Sequence, residues 1–205
     1  MVRKLVCLFM VLFCVFSLTA CGAKQETTAP TPLPIVTIEM EDGHVMRAEL
    51  YPDIALNSVS NFVNLIEAGF YDGTIFHRVI QTFVIQGGDP TGTGMGGPGH
   101  SINGEFSENG FENNLLHERG VLSWARSGDP NSAGSQFFIM HGTRPDLDGK
   151  YAAFGKLIDQ ESLDTLDRIA NTGTDAFDRP LIEHKIKKMT VDTKGLTYTT
   201  VKNEQ

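Results

Sequence analysis

Phe76-His77-Arg78-Val79-Ile80 and Phe83-Val84-Ile85-Gln86-Gly87-Gly88-Asp89 are two apolar runs separated only by Gln81-Thr82. Both are rich in β-branched and aromatic residues, and they predict two neighbouring strands over 74–80 and 83–86. Each carries a polar residue among its apolar ones: Arg78 in the first, Gln86 in the second. An arginine on a strand ordinarily faces water. Two further stretches have the same character, Gly134-Ser135-Gln136-Phe137-Phe138-Ile139 and Leu147-Asp148-Gly149-Lys150-Tyr151-Ala152-Ala153-Phe154-Gly155.

Outward from this centre, strands predominate. Ile35–Met40 alternates, Glu41-Asp42-Gly43 is a turn, and His44–Leu50 returns, so the pair predicts a hairpin. Gly120–Ala125, Gln136–Met140, Ala152–Leu157 and Glu183–Asp192 are further strand candidates. Two helices interrupt them. One runs to about Ala68 with Asn57 as its cap, Val59, Phe62, Val63 and Ile66 on one face and Gly69 as its stop. The other is capped by Asp159 and runs through Ile169, with Leu163, Leu166 and Ile169 as its apolar stripe. Many strands and two distant helices without a βαβ rhythm predict an antiparallel sheet closed on itself. Residues after Thr193 read as a frayed tail.

Phe-His-Arg-Val-Ile, Phe-x-x-Gln-Gly-Gly-Asp, Gly-Ser-Gln-Phe-Phe-Ile and Leu-Asp-Gly-Lys follow one another in the order of the cyclophilin signature, and the resemblance runs from about Ile35 to Asp192. It implies a mainly β fold, a closed eight-stranded antiparallel β-barrel capped by two α-helices, and peptidyl-prolyl cis-trans isomerase activity without a cofactor or metal. By the same resemblance Arg78 is the catalytic arginine, while Phe83, Val84, Phe138 and Leu147 line a pocket for the proline ring. Gln86 and Gln136 match polar groove residues, and Ala125 and Arg126 match the segment along which a substrate backbone lies. Val84 stands where many members have Met, Arg126 where eukaryotic members have Asn, Tyr151 where many have His and Asp146 where several have Trp. Tyr151 is included among the substrate-binding residues, and the Asp146 substitution implies weakened binding of cyclosporin. The partners implied are proline-containing polypeptides that are unfolded or still folding. A binding or chaperone module of the same shape, with little turnover, is the rival reading.

Other chemistries are poorly served. A net charge of -8 without a long basic run argues against nucleic acid as a partner. The short Lys185–Lys188 stretch alternates with Ile186 and reads as the solvent face of a strand. Gly92-Thr93-Gly94-Met95-Gly96-Gly97 matches the dinucleotide fingerprint in letters, but Pro98-Gly99-His100 follows where a helix N-terminus would have to hold a pyrophosphate. The glycine-rich loop over 87–99 therefore reads as a segment that is flexible or passes close to something. No two of the six histidines have helical metal-ligand spacing, and Ser135 lacks the G-x-S-x-G elbow of hydrolases. Asp89 and Asp148 border glycine turns and read as turn residues.

The N-terminus reads as an address. Arg3 and Lys4 precede a 12-residue apolar run, Leu5–Phe16. A bilayer core needs about 20 residues, so this is a secretory signal rather than a span. It ends in Leu18-Thr19-Ala20-Cys21-Gly22, which resembles a bacterial lipobox. Residues 1–20 are then a lipoprotein signal peptide, Cys21 is lipidated, and 21–34 form a Pro- and Thr-rich tether. The isomerase domain spans 35–193 and the tail 194–205. Cys7, Cys14 and Cys21 are the only cysteines, so the mature chain would hold no thiol and no disulfide. Two or more acyl chains anchor stably, which places the protein on the extracytoplasmic face of a bacterial cell membrane.

Overall fold

Strict alternation of buried and partly exposed residues in β1 (Ile35–Met40) and β2 (Val45–Leu50) sends Val36, Ile38, Met46 and Ala48 to one face. The two pair antiparallel around the predicted turn, with Ile38 opposite Met46. This computed structural model describes residues 31–203. The signal-peptide and Cys21 assignments lie outside the described residues.

The remaining strands are β3 (Arg78–Ile80), β4 (Val84–Gly87), β5 (Val121–Trp124), β6 (Phe137–Met140), β7 (Ala153–Leu157) and β8 (Ile186–Asp192). With β1 and β2 they form one eight-stranded sheet in the order β3-β4-β6-β5-β7-β2-β1-β8. Every ladder is antiparallel. The sheet curls until its ends meet. An isolated bridge joins Ile75 to Lys185, with Ile186 N donating to Thr74 O (2.8 Å) and Phe76 N donating to His184 O (3.0 Å). The ends are thus joined by an isolated bridge and not by a continuous ladder, and β3 covers only Arg78–Ile80 of the 74–80 predicted.

The interior is filled by rings. Phe62, delivered by α1 (Leu56–Glu67), is surrounded by Tyr71, Trp124, Phe137 and Phe154, with centroids 5.1–5.8 Å away at tilted or edge-on angles. Edge-to-face packing satisfies the ring quadrupoles while it excludes water. The second helix, α2 (Gln160–Ala170), has the predicted cap: Asp159 Oδ1 accepts from Ser162 N at 2.8 Å. It docks on β2 where Arg47 N donates to Ser162 Oγ and Thr165 Oγ1 donates to Val45 O.

Two expectations are corrected. Asn57 does not cap α1; the N-cap lies two residues earlier, at Ala55, and the helix starts at Leu56 with no local side-chain cap. The free amides of Asn57 and Ser58 donate instead to Glu105 Oε1 (3.0 Å) and Oε2 (2.6 Å). A carboxylate 47 residues away does the work of a cap and also meets the positive end of the helix dipole. The tail is not frayed through residue 203. Tyr198 is buried, Thr200 Oγ1 donates to Asn64 Oδ1, Val201 N donates to Asn57 Oδ1, and Asn203 N donates to Ser101 O. Asn57 and Asn64 project from α1 one face away from its apolar stripe, so the helix binds the barrel with one face and the tail with another.

Candidate active site

Period-two alternation gives the barrel strands a second, outward set of side chains. On β4, Ile85 points inward while Val84 and Gln86 point out; on β6, Phe137 and Ile139 point in while Phe138 and Met140 point out. The outward residues form their own apolar cluster, Val84, Val121, Phe138, Met140 and Ala153, with Phe83, Leu115, Ala125, Leu147 and Tyr151 packed at its margin. A cleft of about 510 Å³ opens over this cluster. Register places the polar residues beside it: Arg78 lies opposite Gln86 on β3 and β4, and Gln86 lies opposite Phe138 on β4 and β6.

A directed chain of hydrogen bonds holds these groups. Arg78 Nη1 donates to Gln86 Oε1 (3.2 Å), Gln86 Nε2 donates to Gln136 Oε1 (3.1 Å), and Gln136 Nε2 donates to the carbonyls of Gly94 and Gly96 (both 2.9 Å). A guanidinium has five donors, so most of those on Arg78 stay available to the cleft. Asp178 Oδ2 lies 3.6 Å from Arg78 Nε and gives the guanidinium a second bearing point.

The glycine-rich loop anchoring that chain is itself fixed. Asp89, fully buried, accepts from the amides of Thr91 (2.7 Å), Thr93 (3.0 Å) and Gly94 (2.6 Å). Burial alone would raise its pKa, but hydrogen bonds from the amides of Thr91, Gly96 and Gly94 and from the Thr91 hydroxyl outweigh it and hold the carboxyl far below the usual carboxylate range. A Cβ at Gly96 would collide with Asp89 Oδ1, and Gly94 has φ +87°. The loop is therefore one that passes close to something, the Asp89 carboxylate, rather than a flexible one.

The floor contains a residue that the sequence did not single out. His117 is buried, stacks on Phe138 (6.1 Å, 26°) and meets the Tyr151 ring edge-on. Its Nδ1 lies 3.0 Å from Asp148 Oδ1 and its Nε2 3.0 Å from Ser123 Oγ. Burial pushes its pKa down, opposed in part by the Asp148 carboxylate. Asp148 also accepts from His117 N, so this turn residue locks the floor as well as its own turn.

Nine of the residues assigned from sequence line the cleft: Arg78, Phe83, Val84, Gln86, Ala125, Arg126, Phe138, Leu147 and Tyr151. Gln136 lines the adjoining hollow of about 520 Å³ and joins the cleft through Gln86. The Arg126 guanidinium is turned onto the protein itself, donating to Lys150 O (2.9 Å) and Ser127 O (2.9 Å) and lying 4.7 Å over Tyr151. Asp146 pairs bidentately with Arg144, whose guanidinium lies 4.5 Å over the Phe83 ring. His77, Asp175, Phe177 and Arg179 also line the cleft. The last three come from a loop some 100 residues beyond Arg78 in sequence, with no periodic pattern to mark it. Among the described residues no cluster of three His, Cys, Asp or Glu groups is arranged to hold a metal.

These elements together set an apolar cleft on the wall of an antiparallel barrel, beside an arginine braced by Gln86. Residues 35–191 match the family of cyclophilin-type peptidyl-prolyl cis-trans isomerases, and the chain belongs to that family. Among its relatives, peptidyl-prolyl cis-trans isomerase CYP18-1 of Arabidopsis thaliana is 43% identical over 162 residues, covering 78% of this chain and 98% of that one. A putative bifunctional phosphatase/peptidyl-prolyl cis-trans isomerase of Streptococcus pyogenes is 43% identical over 174 residues, 72% of this chain but only 36% of that protein's length. The structure of a Cryptosporidium parvum cyclophilin-type isomerase, obtained in the presence of the dipeptide Ala-Pro, superposes with a TM-score of 0.69 at 39% identity, covering 77% of this chain and 98% of that one. The activity of this chain is peptidyl-prolyl cis-trans isomerisation.

Proposed function

We propose that this enzyme grips the proline ring of an X-Pro segment in the Phe83–Phe138–Leu147 hollow and twists the preceding amide under Arg78. The observation that carries the reading is the juxtaposition of that apolar hollow with a guanidinium anchored by Gln86 at 3.2 Å. Rotation about X-Pro is slow because amide resonance must be lost, a barrier of roughly 18–20 kcal/mol. Cis and trans differ by only about 0.5–1 kcal/mol, so no energy source is needed. In the twisted state the nitrogen lone pair is localised and accepts a hydrogen bond. Arg78 is a permanent donor, and its bond to the twisted form is stronger than to the planar one, which is the condition for acceleration. Val84 closes the bottom of the ring pocket and Tyr151 its side. Gln86 and Gln136 offer polar contacts to the substrate backbone, and Ala125 and Arg126 form the ledge on which it lies. The presence of Ala-Pro with the Cryptosporidium relative supports proline-containing chains as the substrate class.

The same reading assigns the setting. Lipidation at Cys21 and a tether over 21–34 put the domain on the extracytoplasmic face of the cell membrane, where it assists the folding of exported proteins. The test of catalysis is a protease-coupled assay of proline peptides with the full chain and Arg78→Ala, with acceleration expected only from the former. Equal rates would remove Arg78 from the mechanism. For the anchor, Cys21→Ser should shift the protein out of the membrane fraction or leave it unprocessed. A correctly cleaved Cys21→Ser protein still held at the membrane would discard it.

A further inference from the structure

The loop over 174–180 is braced on every side. Thr174 bridges Pro180, and Asp175 Oδ1 accepts from Phe177 N (2.8 Å) and Arg179 N (3.0 Å). Val79 N donates to Asp178 O (2.8 Å), tying the loop to the strand that carries Arg78. Arg179 Nη1 donates to Gly92 O (2.7 Å), tying it to the glycine-rich loop. Asp178 takes the left-handed conformation (φ +63°) that this path requires, a conformation aspartate tolerates better than most residues.

On this frame Phe177 lines the cleft and is 87% exposed. A lone exposed apolar residue needs no explanation. This one differs because its backbone is fixed and its ring stands on the rim of the peptide cleft, continuous with the apolar hollow. It does not fold back onto the barrel.

We infer that Phe177 is a specificity-determining residue that receives an apolar side chain flanking the proline, on the Arg78 side of the ring pocket. The inference rests on the substrate reading above. Contact there removes apolar surface of both partners from water, and a braced loop has little freedom left to lose on binding. The competing chemistry is an acidic flank attracted to Arg78 and Arg179, and it gives the opposite preference.

The test uses the full chain, Phe177→Ser and Phe177→Leu, assayed on proline peptides bearing Leu, Gly or Glu at each position flanking the X-Pro bond. The wild type should favour Leu over Gly by roughly tenfold in kcat/KM, mostly through KM, at one of those positions. Phe177→Ser should bring that ratio to near one, while Phe177→Leu should keep most of it. An unchanged ratio in Phe177→Ser, or a wild-type preference for Glu, overturns the inference while leaving the isomerase reading intact. No catalysis of any peptide by the wild type would sink that reading and the inference with it.

Discussion

The two faces of the same strands carry two apolar clusters with opposite fates. Phe137 and Ile139 point into the barrel, where the rings around Phe62 leave no surface open to water. Their neighbours Phe138 and Met140 point out, onto a cluster whose margin lines an open cleft. Antiparallel sheets usually alternate apolar-in and polar-out. Here the outer face of β4 and β6 is apolar too, and its remaining polar residue, Gln86, is used to orient Arg78 and Gln136. One cluster holds the fold together; the other is an unfinished core that, on the proposed reading, a proline ring completes.

That contrast can be broken from either side. Phe62→Ala removes the ring that touches four others and should cost about 3–5 kcal/mol of stability, read as a shift in the denaturation midpoint at unchanged slope. Activity per folded molecule should survive, because Phe62 does not line the cleft. A fall in turnover without a fall in stability would mean the two clusters are not separable. Arg78→Lys should do the reverse. Stability should hold while catalytic efficiency drops on the order of 10–100-fold, or roughly 1.4–2.7 kcal/mol, because a lysine is a flexible point charge and cannot keep the planar donor geometry. Near-wild-type turnover would remove the guanidinium from the proposed role.

The inner cluster was legible in the sequence because burial imposes a period: the strands around Ile85 and Phe137 and the Val59–Ile66 stripe follow from alternation and helical spacing alone. The outer cluster was not legible that way. A strand arginine flanked by aromatics reads as a surface residue, and only the ordered cyclophilin-like motifs assigned Arg78, Gln86 and Phe138 a common site. His117 escaped both routes, since its role depends on a contact with Asp148, 31 residues away, and on stacking across the sheet. The same holds for Glu105, which caps α1 from a distance, and for the tail, whose anchors on Asn57 and Asn64 leave no local pattern. What local spacing encodes is the scaffold; pairings between distant polar residues must be seen in three dimensions.

Mild acid should separate the faces again, by a smaller amount. The inner ring cluster contains no titratable group active between pH 5 and 7, whereas the floor of the cleft rests on His117. Burial holds its folded pKa below the unfolded value of about 6.5, with Asp148 opposing in part. Folding therefore favours the neutral imidazole. This contribution is complete above the unfolded pKa and is lost as pH falls below it, at no more than about 1.4 kcal/mol per pH unit. Thermal melts of the wild type and His117→Gln between pH 7 and 5 test it. The wild type should lose stability faster, and parallel pH profiles would move the sensor to another buried histidine such as His77 or His184, whose pKa values burial also lowers.

The smallest expected effect concerns the rim of the outer cluster. By the resemblance of the sequence, Asp146 takes the place of a Trp found in several cyclophilins, whose indole N–H would be the donor to cyclosporin. It is exposed, and its carboxylate is engaged by Arg144, which in turn covers Phe83. An ionised carboxylate has no donor to offer a cyclic peptide and little apolar surface. Isomerase activity should be near normal with Asp146 in place, since Phe83, Phe138 and Leu147 all line the cleft, while cyclosporin should inhibit weakly. Asp146→Trp should tighten inhibition roughly five- to thirtyfold, the scale of one hydrogen bond plus an aromatic contact. Because the substitution also frees Arg144, Asp146→Ala is needed beside it. If releasing Arg144 from its partner were the cause, both variants would gain equally; if the indole is the cause, only Asp146→Trp gains. Equal inhibition constants for all three proteins would mean that this rim residue does not meet the inhibitor, and that the outer cluster alone decides what the cleft holds.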